Sequence, residues 1–104
     1  MQVQLNTDKS IEGHDRLNQY LNEVINDELA HYDELVTRIE VFLSDENGDK
    51  SGPDDKKCVL EARLKNKKPI AVTTHADSLE KVMHIAITKL KGSLAREKSK
   101  LQDH

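Results

Sequence analysis

Four stretches of this chain alternate apolar and polar residues with a period of two, and two longer stretches repeat every three to four. That pattern admits few folds. In MQVQLNT, Met1, Val3 and Leu5 face one way and Gln2, Gln4 and Asn6 the other, as in a half-buried strand. TRIEVFLS sets Ile39, Val41 and Leu43 against Arg38, Glu40 and Phe42, and KCVLEARLK sets Cys58, Leu60, Ala62 and Leu64 against Val59, Glu61 and Arg63. PIAVTTH supplies a fourth strand, with Pro69 at its first position, where a missing ladder donor matters least. Between the first two strands, Leu17, Tyr20, Leu21, Val24, Ile25 and Leu29 predict an amphipathic helix from about Asp15 to Tyr32. After the fourth strand, Leu79, Val82, Met83, Ala86, Leu90 and Leu94 predict a second helix. Asp77 is its expected N-cap and Glu80 the capping-box partner.

The order β-α-β-β-β-α specifies an α+β fold, a four-stranded sheet with both helices packed on one face. At 104 residues the chain has room for a single domain, 1–104, with one modest core. Aromatics make up 3% of the residues, so that core must be aliphatic. The polar stretch DENGDKSGPDDK, residues 45–56, reads as a long mobile connection. It begins like a calcium loop at Asp45, Asn47 and Asp49. It then places Lys50 where glycine is needed and Lys56 where glutamate is needed, so a solvated acidic loop is the better reading.

Little else points to covalent or metal chemistry. Cys58, the sole cysteine, excludes an intrachain disulfide and reads as a small buried hydrophobe. None of the five histidines pairs at helical spacing beside a third ligand, and the carboxylates sit in solvated runs such as Asp27-Glu28 and Asp33-Glu34. No Gly-rich phosphate loop or nucleophile elbow occurs, so neither an enzyme nor a cofactor or metal is expected. There is no apolar run of about 18 residues to cross a membrane, and MQVQLNTDKS lacks the regions of a secretory signal. A cytoplasmic location is the expectation.

Charge carries the functional information. Residues 1–55 hold fourteen acids and four bases, a net −10, while residues 56–104 hold twelve bases and five acids, a net +7. Lys89, Lys91, Arg96, Lys98 and Lys100 crowd the last helix, with Lys56, Lys57, Arg63, Lys65, Lys67 and Lys68 on the third strand and its turn; of these eleven, all but Lys56 and Lys57 are candidate phosphate contacts. Cations near a helix C-terminus also favour the helix dipole, but so many on two neighbouring elements suggest phosphate contacts, made by charge and shape without base readout. Three aromatic residues offer little for base stacking.

These residues resemble a known family. The strand MQVQLNT, the SIEG after it, Tyr32 and the segment HADSLEKVMHIAITKLKGSLAREKSKLQDH, with Asp77, Lys89-Leu90, Lys98 and Lys100-Leu101, are similar to the ribosome hibernation promoting factors and ribosome-associated inhibitors, also called sigma-54 modulation proteins. The resemblance implies a stress factor without a cofactor that binds the small ribosomal subunit, through its RNA, in the channel for messenger and transfer RNA and silences translation. At this length it implies a diverged short form lacking a C-terminal dimerisation domain. Lys89 and Arg96 occupy matching basic positions on the last helix, with Lys98 and Lys100 in support. The sequence departs from the pattern at Gly92 and at Asn18, Val24 and Asp27 of the first helix, none of which is basic. The alternative expectation is that the fold binds a protein partner through its acidic first helix.

Overall fold

The computed structural model describes residues 1–8, 11–46 and 55–102. The elements are β1 (Gln2–Thr7), α1 (His14–Glu28), a 3₁₀ turn (Ala30–Tyr32), β2 (Val36–Asp45), β3 (Lys56–Leu64), β4 (Ile70–Ala76) and α2 (Leu79–Gln102). They realise the α+β fold and the order β-α-β-β-β-α. Sheet order follows the chain, β1-β2-β3-β4. The β1–β2 pairing is parallel, as the α1 crossover requires, and the other two pairings are antiparallel. The interior of the 45–56 connection, with most of its calcium-like ligand positions, and His104 lie outside the described residues.

Every strand's alternation is used in the same sense. Val3, Leu5, Ile39, Val41, Leu43, Cys58, Leu60, Ala62 and Val72 are buried under the helices. From α1, Leu21 and Ile25 close onto them, and from α2 come Val82, Ala86, Leu90 and Leu94, all fully buried. Each of the buried Val, Leu and Ile side chains contributes about 1.5–3 kcal/mol of transfer free energy. The other sheet face meets solvent with Gln2, Gln4, Arg38, Glu40 and Phe42, the last 44% exposed. On that face, Glu40 accepts from Asn6 Nδ2 at 2.9 Å and from Arg38 Nε at 2.7 Å, and these bonds hold its carboxyl below the usual range.

α1 does more than cover the core. Gly13, at φ 74°, provides the left-handed turn into it, a conformation that strains any residue with a Cβ. Asn18, Asn22 and Asn26 then recur every four residues along the free edge of β1. The Leu5 N–H donates to Asn18 Oδ1 at 3.1 Å, Asn22 Nδ2 donates to the Val3 carbonyl at 3.1 Å, and the Met1 amine donates to Asn26 Oδ1 at 3.4 Å. His14 Nε2 donates to the Leu5 carbonyl at 2.9 Å. The helix thus stands in for a fifth strand and closes an edge that would otherwise template aggregation.

Two helix boundaries differ from the sequence expectation. The first helix does not run to Tyr32: it stops at Glu28, Leu29 N–H bonds back to the Ile25 carbonyl at 2.9 Å, and the chain tightens into the 3₁₀ turn. Asp27 and Glu28 oppose the negative end of the helix dipole, so the α-helix has little reason to continue. The second helix is capped by Ser78, not Asp77. Ser78 Oγ accepts the Lys81 N–H at 3.2 Å, and its carbonyl accepts the Val82 N–H at 3.0 Å. Asp77 instead pairs with Lys81 Nζ at 3.1 Å, one turn on. The strand continues to buried Ala76, and the phase that sets Val82 and Leu90 on the sheet puts the cap one residue later. Similarly, β4 starts just after Pro69.

Candidate nucleic-acid interface

The cations of α2 follow a seven-residue spacing, and seven residues are nearly two helical turns. Lys91 and Lys98 therefore share one flank, and Lys89 and Arg96 share the other. The contacts agree. Lys91 Nζ lies 3.4 Å from Glu28 Oε2 of α1. Lys98 Nζ donates to the His31 carbonyl at 3.1 Å and sits 5.6 Å from the centre of the Tyr32 ring. On the opposite flank, Lys89 Nζ donates to the Thr73 carbonyl of β4 at 3.4 Å. Arg96 folds back along the helix beside Gly92, its Nη2 3.1 Å from Ser93 Oγ.

The β3–β4 turn brings a second group of bases to the far end of α2. Lys67 Nζ lies 3.2 Å from Glu97 Oε2 and Lys100 Nζ 3.3 Å from Glu97 Oε1. The hydrogen bond from Lys67, then that from Lys100, holds the Glu97 carboxyl below its ordinary value. Lys65 and Lys98 both line an open groove of about 740 Å³ beside the 3₁₀ turn, with Asp33 and Glu34 as acidic walls and Leu35 and Leu101 as apolar ones. Lys68 is exposed on the same turn.

The nine predicted bases are not equivalent. Arg63 lies on the open face of the sheet, 3.3 Å from Glu61, with the sheet between it and α2. Lys67, Lys91 and Lys100 are engaged with carboxylates. Among the described residues, Lys65, Lys68, Lys89, Arg96 and Lys98 have no carboxylate within 4.0 Å. Lys56 belongs to a different structure: its ammonium lies 3.2 Å from Asp45 and 3.1 Å from Asp55, clamping the ends of β2 and β3. Those bonds, that to Asp55 foremost, raise its pKa. Tyr32, the aromatic partner of Lys98, was not identified from sequence as part of this surface, because no periodicity links positions so far apart. Among the described residues no three His, Cys, Asp or Glu side chains converge as a metal site would require.

The family model described as "Sigma 54 modulation protein / S30EA ribosomal protein" matches residues 6–102. The chain belongs to this family. Membership places it among ribosome-associated proteins, and in this protein the matched region holds all the cations described above. Solved structures share the fold, among them these two. The N-terminal domain of Protein Y from Thermus thermophilus is 15% identical, with a TM-score of 0.72 over 92% of this chain and 98% of that one. A ribosomal subunit interface protein from Coxiella burnetii is 17% identical, with a TM-score of 0.63 over 95% and 99% respectively. No curated protein matches in sequence. Among the described residues, no helix is long and apolar enough to cross a membrane.

Proposed function

We propose that this protein binds the small ribosomal subunit in the channel that carries messenger and transfer RNA, and silences translation there by occupying space. α2 is the anchor. Lys89 and Arg96 meet ribosomal RNA phosphates along one flank, while Lys65, Lys68 and Lys98 meet them at the far end. Lys67 and Lys91 hold the anchor to the body, Lys100 pairs with Glu97 within α2, and Arg63 adds a cation on the open sheet face. The body does no covalent chemistry and needs no cofactor: a steric block requires only affinity and fit. On this reading the protein acts in the cytoplasm, on ribosomes idled by stress.

The observation that carries the reading is the set of cations free of carboxylate partners on α2 and the β3–β4 turn, in a member of a ribosome-associated family. An ammonium already neutralised gains little from a phosphate, whereas an unpaired one releases a counterion on binding. Co-sedimentation through sucrose gradients at low and moderate salt tests the proposal. Migration with the small subunit, lost as salt rises, is expected. A protein that stays at the top of the gradient at both salts overturns it.

A further inference from the structure

The cleft between α1 and α2 has a different chemistry from the cationic flank. Tyr20 of α1 stands 46% exposed, although apolar spacing put it on the core stripe. Val24, one turn further along, and Met83 and Ile87 of α2 line the cleft with it. Beside this apolar strip stand Glu23 and Asp27, three and seven residues after Tyr20 and therefore on its side of the helix. Both are exposed, and among the described residues neither has a cation within 4.0 Å. The Lys91 ammonium in the cleft is engaged by Glu28, which leaves Arg16, a turn before Tyr20, as the base on this side of α1.

A phosphate backbone is a poor occupant. Glu23 and Asp27 repel it, and at physiological salt the repulsion is screened only beyond about 8 Å. A lysine- or arginine-rich protein segment has the opposite balance. An exposed aromatic over a shallow apolar floor is the usual anchor of a protein contact, with charge at the rim setting partner and approach. Two parallel walls of helical side chains suit an amphipathic helix better than an irregular loop.

We propose that the α1–α2 cleft docks a lysine- or arginine-rich helical segment of another protein, its apolar side on Tyr20 and Val24 and its cations toward Glu23 and Asp27. The cleft faces away from the α2 flank of Lys89 and Arg96 and adjoins Lys98 only at its far end, beyond Lys91, so the two surfaces are distinct except where they meet there. The inference does not depend on ribosome binding.

The test is a titration of ¹⁵N-labelled protein with a synthetic amphipathic helix of lysine and leucine. A scrambled isomer of the same composition and a folded RNA hairpin serve as comparisons. The amphipathic peptide is expected to shift the Tyr20, Val24 and Ile87 amides and to bind at least tenfold more tightly than its isomer. Tyr20→Ala, and Glu23→Lys with Asp27→Lys, should each weaken it at least tenfold, while Lys89→Glu with Arg96→Glu leaves it unchanged. Absence of binding, equal binding of the isomer, shifts centred elsewhere, or RNA perturbing the cleft amides would each overturn the proposal. Because the α2 variant reports on RNA alone, either surface can fail without the other.

Discussion

Reversing two charges on the outer flank of α2 gives a quantitative test of which cations matter. Take Lys89→Glu combined with Arg96→Glu. Neither side chain is buried, and their contacts, to the Thr73 carbonyl and Ser93 Oγ, are replaceable by water, so the fold survives. If Lys65, Lys68, Lys89, Arg96 and Lys98 each meet one phosphate, the slope of log K against log salt is about −4.5, and affinity falls about 500-fold between 50 and 200 mM salt. With three contacts left the slope is about −2.7 and the loss about 40-fold. Absolute affinity drops further, since each new carboxylate repels the phosphate its predecessor attracted. Dissociation constants for purified small subunits across that salt range supply the slopes, with circular dichroism to confirm the fold. The control is Lys67→Gln. Its ammonium is already engaged with Glu97, and Lys100 remains to hold that carboxylate, so the slope should stay near the wild-type value. A double variant that keeps the wild-type slope, or a Lys67→Gln variant that loses as much, refutes the distinction between paired and unpaired lysines.

Three further expectations concern the body of the protein. Asn22 donates to both the Val3 and Asn18 carbonyls, so Asn22→Ala should cost roughly 1–2 kcal/mol in urea unfolding and speed aggregation through the freed β1 edge; a loss under about 0.3 kcal/mol would mean that the edge needs no cover. The Cys58 thiol, pushed up to about 12 by burial, should resist iodoacetamide at pH 8 until the protein unfolds, and labelling at the rate of a free thiol would contradict its placement. His14 has its pKa raised above 6.5, chiefly by its hydrogen bond to the Leu5 carbonyl and then by Asp15. Its contribution to stability is therefore complete below 6.5 and lost as pH rises through the higher folded value. Urea midpoints should fall over that interval, a step that His14→Gln should abolish, and an NMR titration of His14 centred at or below 6.5 would remove the basis for it.

The fold was legible because its two periods do not overlap. Period-two alternation in β2 and β3 fixes which side of the sheet is buried, and a register slip of one residue would expose Ile39, Val41 and Leu43 together. The boundaries were harder to read, for a local reason. Asp77 and Ser78 are both good caps, and only the tertiary demand that Val82 and Leu90 face the sheet selects between them. The early end of α1 is of the same kind: Tyr32 continues the helical pattern on paper, but acids at the C-terminal turn and the need to place Tyr32 against Lys98 favour a tighter turn.

The charged surface was legible in composition and much less so in arrangement, because a charge count cannot see partners. From sequence, Lys56, Lys67 and Lys89 look alike; in the structure the first clamps a strand pair, the second holds the end of α2, and the third is free of carboxylates. Asn18 shows the same effect from the other direction. It stands where the family resemblance would put a base, and its amide is turned to the backbone of β1, with Asn22 and Asn26 continuing the row. A lysine at that position would leave the Leu5 N–H without its acceptor, so a base there would cost the closure of the edge. The acid excess of α1 is thus coupled to how this chain shields its sheet: one side of the helix is occupied by strand capping, and the remaining side carries Glu23 and Asp27. Phosphate binding by α1 would require changes on both sides, whereas α2, whose buried stripe is wholly apolar, carries cations on both of its flanks.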